Sequence, residues 1–417
     1  MNGPAYGRRG GLAIALVHNT APPVVGGVER VLARHATLMA DAGHDVRIVV
    51  GRGEPPDPRC RLVEIPLMDA GHPTIERLQL RLAAGTVPAD FGEIVAALRT
   101  GLAEALAGVD IAIAHNVCSL GLNLALTTAL HDLAGRGTPP RLIIWHHDLA
   151  WTSSSYRSTL HDGPPWDLLR EAWPGASQVV VSEARRHDLA GLTGLRPESI
   201  AVVPNGLDVP SILRLEPRSA EVLAWADLSG LEPLLLMPAR MTPRKNIEFA
   251  LRVIAAIRSA GRPAGLIVTG PVDPHRPAER DLVGQLLALQ AVLGLDRAVR
   301  FLATEPEGAP SDAIVGDLYR IADALFLPSR DEGFGLPILE AGAHRLPIIC
   351  ADLATLRSLA GDAGSYISTD EEPAVVAACV LDRLEPDRML GFARRVRREY
   401  SWEAIYGSKI APLLAAG

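Results

Sequence analysis

Lysine is almost missing from this 417-residue chain: Lys245 and Lys409 are the only two. A cofactor bound covalently to lysine has few places to sit, and nothing around Lys409 offers a phosphate cradle. Aromatic residues are scarce at 4%, so any cluster of them stands out. Cys60, Cys118, Cys350 and Cys379 lie far apart with no C-x-x-C pair. That argues against a disulfide framework or a structural zinc site and for a reducing, cytoplasmic setting. There is no basic excess; the formal charge of −7 weighs against a nucleic-acid partner. There is no long N-terminal apolar run either. Leu12 to Val17 is far too short for a signal peptide or a membrane span, so a soluble protein is expected. No G-x-G-x-x-G follows the first strand-like run, which leads into Val17-His18-Asn19-Thr20, and Thr269-Gly270-Pro271 has a single glycine. A dinucleotide dehydrogenase is thereby disfavoured. No D-x-D pair occurs; Asp323 and Asp331 stand isolated.

What the chain has is apolar residue in quantity, 48%, arranged in short runs between helical patterns. Its length exceeds what one hydrophobic core usually serves, so two domains of about 200 residues are expected. Strand-like runs fall at Leu12–Val17, Val46–Val50, Ile111–Ala114, Leu142–Trp145, Gln178–Val181 and Ile200–Val203. A second series falls at Pro233–Met237, Gly265–Thr269, Val299–Ala303, Ala324–Pro328 and Pro347–Cys350. Helical periodicity marks Glu29–Ala42, Glu93–Ala107, Asn246–Ala260 and Asp281–Leu293. The alternation predicts an α/β protein with two doubly wound, Rossmann-like parallel sheets. The domains are read as 1–208 and 209–400, with residues 209–232 a connection carrying a short helix, and 401–417 as a helical tail. Arg394-Arg395, Arg397-Arg398 and Trp402 form a basic, partly aromatic cluster. It suits either the solvated face of a helix or peripheral contact with the inner face of a membrane.

The most informative string is Glu332-Gly333-Phe334-Gly335-Leu336-Pro337-Ile338-Leu339-Glu340, which follows the short apolar run Ala324-Leu325-Phe326-Leu327-Pro328-Ser329. Its glycines allow a sharp turn and close approach of backbone to a ligand, and Pro337 suits the start of a helix. Glu332 then sits in a strand-to-helix loop and Glu340 about one turn into the helix. Free amides at the helix start favour a diphosphate, and a carboxylate on each side suits neutral hydroxyls. A ligand with sugars flanking a diphosphate fits this string. Pro238-Ala239-Arg240-Met241-Thr242-Pro243-Arg244-Lys245-Asn246 follows another strand. There Arg240 and Lys245 can converge on one diphosphate, a forked guanidinium beside a point charge, with Arg244 the more solvent-facing.

The first half supplies three further strings. Gly26-Gly27 lies between the first strand and a helix, where backbone amides can approach a phosphate or a sugar. His115 ends the strand Ile111–Ala114. Trp145-His146-His147-Asp148, with Trp151 close behind, ends the next. Its aromatics suit a sugar's apolar face, and its polar groups suit hydroxyls. The adjacent histidines point opposite ways on an extended chain and make a poor metal pair.

Glu-x7-Glu with Gly-Phe-Gly inside, the Arg…Lys pair, the Gly-Gly loop and D-x-x-x-x-H at Asp110–His115 together resemble the retaining nucleotide-sugar glycosyltransferases of family 4. The resemblance implies the GT-B fold, two Rossmann-like domains facing a cleft, with the tail 401–417 crossing back to the first. It implies that Glu332 holds hydroxyls of the donor sugar, Glu340 the ribose, and Phe334-Gly335 the sugar and its phosphates. It implies that Gly26-Gly27 closes over the donor, that His115 orients the reacting sugar and acceptor, and that the first domain is the acceptor side; the acceptor candidates His146, His147, Asp148 and Trp151 rest on their own chemistry and not on the resemblance. The expected reaction moves a hexose, glucose or mannose, from a UDP-, GDP- or ADP-sugar to the hydroxyl of a saccharide, polyol or lipid-linked glycan. Arg240, Lys245 and the helix amides would neutralise the leaving diphosphate, so no metal and no further cofactor is expected. A nucleotide-sugar sensor without turnover and a phosphorylase remain as alternatives. One departure stands out: His344-Arg345 occupies the place where the family usually has a small residue and Gly.

Overall fold

The computed structural model describes residues 11–135, 140–228, 230–271 and 280–416. The chain divides into two compact units, residues 1–206 with 402–417, and 207–401.

The first unit is built on a seven-stranded, wholly parallel sheet. Its strands are β1 (Ala13–Val17), β2 (Asp45–Val50), β3 (Arg61–Glu64), β4 (Ile111–His115), β5 (Arg141–His146), β6 (Ser177–Val180) and β7 (Ile200–Val202), in the order β3-β2-β1-β4-β5-β6-β7. The apolar runs became strands because a parallel strand covered on both faces needs no polar alternation; every residue of β4 is buried. The helix Gly27–Asp41 buries Val31, Leu32, His35, Ala36, Leu38 and Met39, the 3–4 spacing of a helix with one covered face. The strand that sequence patterning did not suggest, β3, is an edge: Arg-Leu-Val-Glu, only half buried.

The second unit has a six-stranded parallel sheet. Its strands are β8 (Leu234–Met237), β9 (Gly265–Val268), β10 (Val299–Phe301), β11 (Ala324–Leu327), β12 (Ile348–Ala351) and β13 (Gly364–Ile367), ordered β10-β9-β8-β11-β12-β13. Here too the unforeseen strand, β13, is a half-buried edge. The stretch after Asp208 forms two helices, Val209–Leu213 and Pro217–Leu228.

In each sheet the strand order reverses once, between β1 and β4 and between β8 and β11. Loops diverge there beyond the carboxyl ends of the strands and leave a crevice.

The segment from Trp402 belongs to the first unit. Helix Trp402–Ile405, a π-helical stretch Tyr406–Ile410 and helix Ala411–Ala415 place Ile405, Ile410 and Leu414 in the core around Ile14 and Leu16. Arg141 fastens it by donating to the Leu413 carbonyl at 2.6 Å. Trp402 is buried against the His35 ring, and a Cβ on Gly206 would lie 2.4 Å from the indole. The arginines before it are held inside the second unit. Arg394 and Arg397, on helix Arg388–Tyr400, pair with the fully buried Asp323 at 3.0 and 3.3 Å, and Arg394 and Arg398 reach Glu232 at 3.2 and 3.1 Å. The basic, aromatic cluster read from the sequence is therefore not one surface: its tryptophan is core, and two of its arginines neutralise a buried carboxylate. Among the described residues, no helix is long and apolar enough to cross a membrane.

Candidate functional site

In the second unit, the two strings singled out in the sequence meet at the β8/β11 reversal. After β8 the chain forms a 3₁₀ turn, Pro243–Lys245, then Asn246 in the left-handed region, then helix Ile247–Ser259. After β11 it turns through Gly335, φ 100°, into helix Leu336–Ala343. A side chain at Gly335 would be strained at that φ and would also press on Leu356, 2.7 Å from an added Cβ. The loops are joined where the Arg330 amide donates to the Arg244 carbonyl at 2.8 Å. Lys245 and Glu332 are both buried and form an ion pair with each other, and Ser329 Oγ donates to Glu332 Oε1 at 2.7 Å. Arg240 is exposed and makes no ion pair among the described residues. Arg244 faces solvent, as expected.

These residues open on a cavity of about 910 Å³, bounded by Arg240, Thr242, Lys245 and Thr269 on one side and by Leu336, Pro337 and Glu340 on the other. The helix start at Gly335 has no side-chain cap; Pro337 has no N–H and the Ile338 amide donates to the Gly335 carbonyl at 2.9 Å, which leaves the amides of Gly335 and Leu336 for an anion. Gly270 admits the neighbouring strand end, since an added Cβ would lie 2.2 Å from the Ala239 carbonyl oxygen. Glu340 stands on the helix and accepts from the Tyr319 phenol at 2.6 Å. Phe334, 55% exposed, stands out from the loop beside it. Thr242 was assigned no role from sequence, yet its buried hydroxyl lines the cavity without a hydrogen-bond partner among the described residues.

The first unit gathers its candidates at the β1/β4 reversal with a different chemistry. His115 ends β4 and is fully enclosed. Its ring lies among His35 (centroids 5.2 Å), Trp145 (5.4 Å) and His147 (5.6 Å), with Nδ1 3.3 Å from His147 Nε2 and with no hydrogen-bond partner for its own Nε2 among the described residues. Burial drives its pKa well down, with neighbouring histidines adding to the effect. Burial likewise lowers His35 and His147 to about 3, and His146 to about 4. All four are neutral imidazoles at neutral pH.

His146 points away from this cluster, its Nε2 2.8 Å from Gln178 Oε1. The pair thus diverges as the extended geometry requires. Asp148 is held by its amide, which with that of His147 donates to Asn116 Oδ1 at 3.0 Å each. Asn116, at φ 60°, ties the ends of β4 and β5 together and carries no local signal beyond its turn propensity. Trp151 is not an open platform. The guanidinium groups of Arg157 and Arg170 lie 4.5 and 4.0 Å from its ring centroid, and its Nε1 donates to the Trp166 carbonyl at 3.3 Å.

Beside the cluster, His18 donates from Nδ1 to the His115 carbonyl at 2.7 Å, and its Nε2 lies 3.7 Å from Glu29. Thr20 Oγ1 donates to Glu29 Oε1 at 2.7 Å. The nearby His18 ring, helped by the Thr20 hydrogen bond and opposed by burial, holds the Glu29 carboxyl at about 2. This carboxylate folds back over the helix start, where a Cβ on Gly26 would meet Glu29 Oε2 at 2.0 Å. Gly27 has open space around it. The helix start therefore already faces an anion of its own chain, which suits a neutral hydroxyl there better than a phosphate.

A family model described as Glycosyltransferase Family 4 matches residues 25–210, and one described as Glycosyl transferases group 1 matches residues 232–385. A D-inositol 3-phosphate glycosyltransferase of Thermomonospora curvata is 31% identical over 249 residues, 55% of each chain. An MMP alpha-(1->4)-mannosyltransferase of Mycolicibacterium hassiacum is 26% identical over 439 residues, 96% of this chain and 97% of that one. Apart from that mannosyltransferase, the chain spans about half the length of the first relatives it matches. A glycosyltransferase of Rickettsia africae covers 98% of the chain at 18% identity, but its TM-score of 0.38 leaves the fold to rest on the sheet topology above. With one model taking up the strings of the first sheet and the other those of the second, the chain belongs to glycosyltransferase family 4, a GT-B family of retaining enzymes that draw on nucleotide-sugar donors.

Proposed function

We propose that this chain is a retaining hexosyltransferase that moves glucose or mannose from a nucleoside-diphosphate donor to a hydroxyl acceptor, a saccharide, polyol or lipid-linked glycan. The observation that carries the reading is the cavity at the β8/β11 reversal, lined by the exposed Arg240 guanidinium, by Lys245 of the buried Lys245–Glu332 pair and by an uncapped helix start. A diphosphate brings two or more negative charges. Arg240 and the helix amides meet them directly, while Lys245 shares its charge with Glu332. As the glycosidic bond breaks, charge grows on the leaving oxygen, and cations already in place stabilise it without reorganisation. Glu332, fixed by Lys245 and Ser329, accepts from donor-sugar hydroxyls; Glu340 accepts from the ribose; the Phe334-Gly335 backbone lies along the phosphates.

On the acceptor side, the neutral histidine cluster supplies hydrogen bonds and shape rather than charge. His115 acts as an orienting group there, His147 and Asp148 are the acceptor contacts, and Gly26-Gly27 offers amides to a donor hydroxyl. His146 and Trp151 are already engaged by Gln178, Arg157 and Arg170, and support the site from behind. The mannosyltransferase likeness over nearly the whole chain supports a hexose as the group moved. Melting the protein with UDP-, GDP- and ADP-sugars, followed by donor hydrolysis, tests the reading: one nucleotide series should raise the melting temperature and its sugar should be released. Binding without any hydrolysis or transfer would make the chain a sensor.

A further inference from the structure

Glu340 is held from both ends. The Tyr319 phenol donates to its Oε2 at 2.6 Å, and His344 Nδ1 donates to its backbone carbonyl at 2.8 Å. The two holders also stack on each other, with ring centroids 5.2 Å apart and planes 15° apart. Tyr319 comes from another element, helix Asp312–Ile321, and is buried behind the glutamate, which itself lines the cavity. Burial and the neighbouring carboxylate push the phenol pKa up, so Tyr319 stays a donor throughout the working range. An exposed helical glutamate ordinarily exchanges among several rotamers, and fixing it costs side-chain entropy. Here that ordering is complete before any ligand arrives. Packing alone would explain a buried tyrosine, but not why its hydroxyl is spent on a carboxylate that faces the cavity.

We infer that Tyr319 is a positioning residue for nucleoside recognition: it occupies Oε2 of Glu340, leaving Oε1 to accept from the vicinal hydroxyls of a ribose, and His344 keeps the phenol in plane. The inference rests on the reading of Glu340 as the ribose contact. Its signature is selectivity for ribose, which a merely structural tyrosine would not control.

The test is calorimetric binding of UDP and GDP and of their 2′,3′-dideoxy counterparts to the wild type, Tyr319→Phe, His344→Ala and Glu340→Gln. The wild type should prefer the ribonucleotide by about tenfold or more, the effect of one charge-assisted hydrogen bond. Tyr319→Phe should weaken ribonucleotide binding until the preference is under threefold, while dideoxynucleotide binding stays at the wild-type level. His344→Ala should reduce the preference two- to threefold, and it keeps the question open to decision even if Tyr319→Phe folds poorly. Equal weakening of both ligands in Tyr319→Phe, or an unchanged preference in both variants, would overturn the role of Tyr319 while leaving Glu340 in place. A Glu340→Gln protein that loses nothing in preference would overturn the ribose assignment itself, and the positioning role with it.

Discussion

The two sheets reverse their strand order in the same way and fill the resulting crevice with opposite chemistry. At the β8/β11 reversal the chain places formal charge: a buried Lys245–Glu332 pair beside the exposed Arg240, which makes no ion pair among the described residues. At the β1/β4 reversal it places imidazoles that burial keeps neutral, His35 and His115 against the Trp145 indole, His147 against His115, and His146 turned away to Gln178. A charged crevice can take a diphosphate and respond to charge that develops during a reaction. A neutral one selects by shape and by hydrogen bonds, and its affinity should vary little with salt. Under the proposed function, the departing anion belongs to the charged sheet end and the uncharged nucleophile to the other.

The largest effect that would break this contrast is on the ion pair. Lys245→Met leaves Glu332 as a buried, uncompensated carboxylate and should destabilise the protein by about 3–5 kcal/mol. Adding Glu332→Gln should return most of that stability without returning turnover. Urea titrations of the single and double variants decide it; equal stability losses would mean the pair contributes nothing as a pair. Arg240→Ala should behave in the opposite sense, because no partner is left behind. Its stability should stay within about 0.5 kcal/mol of wild type while kcat/KM falls by roughly 2–4 kcal/mol of transition-state stabilisation. Unchanged turnover would remove Arg240 from the clamp. Turnover of the wild type should survive excess EDTA; loss restored by Mg²⁺ would assign the anion to a metal instead.

The neutral crevice is tested by acid. His35, His146 and His147, with folded-state values of about 3 to 4, take up protons in the unfolded chain near pH 6.5 and not in the native one. Their stability contribution is therefore fully present above pH 6.5 and is lost as pH falls towards 4. Each such histidine adds about 1.4 kcal/mol per pH unit to the slope. Urea unfolding at pH 7, 6 and 5 should show uptake of more than two protons; uptake of less than one would mean the imidazoles are not buried neutral. The smallest effect is expected at Arg345, a non-glycine residue at φ 56° on the helix end after Glu340. Arg345→Gly should stabilise by about 0.5–1 kcal/mol, the relief of a left-handed conformation less the added freedom of the unfolded chain. A lower melting temperature would show that Arg345 is held by something besides its backbone.

The sequence carried the interior well and the margins poorly. β8, β9, β11 and β12 are fully buried, so their apolar runs stand out without any alternation. β3 and β13 are four-residue edges, half in solvent, and nothing in Arg-Leu-Val-Glu or Gly-Ser-Tyr-Ile separates them from loop. The site followed the same rule. Residues bound to a local string, such as Arg240, Lys245, Glu332 and Glu340, were legible together. Tyr319 lies 21 residues before Glu340 on a different helix, and His18 reaches His115 across 97 residues, so no spacing rule connects them. Trp402 looked superficial beside its arginines and proved to be core, because its neighbours come from the far end of the chain. His344-Arg345, which departs from the family pattern, keeps the left-handed turn that a glycine would make, with an arginine in its place.

The return of residues 402–416 to the first unit bears on how the chain is made. A ribosome delivers residues from the amino end at about 5–20 per second, and domains commonly fold as they emerge. Here the second unit can complete its sheet as soon as β13 and its covering helices have left the exit tunnel. The first unit, although translated earlier, still lacks Ile405, Ile410 and Leu414, and the indole that closes over His35. Until that segment emerges, the apolar surface it covers in the finished first unit has no cover, so the last contacts of the unit translated first are made by the last residues translated.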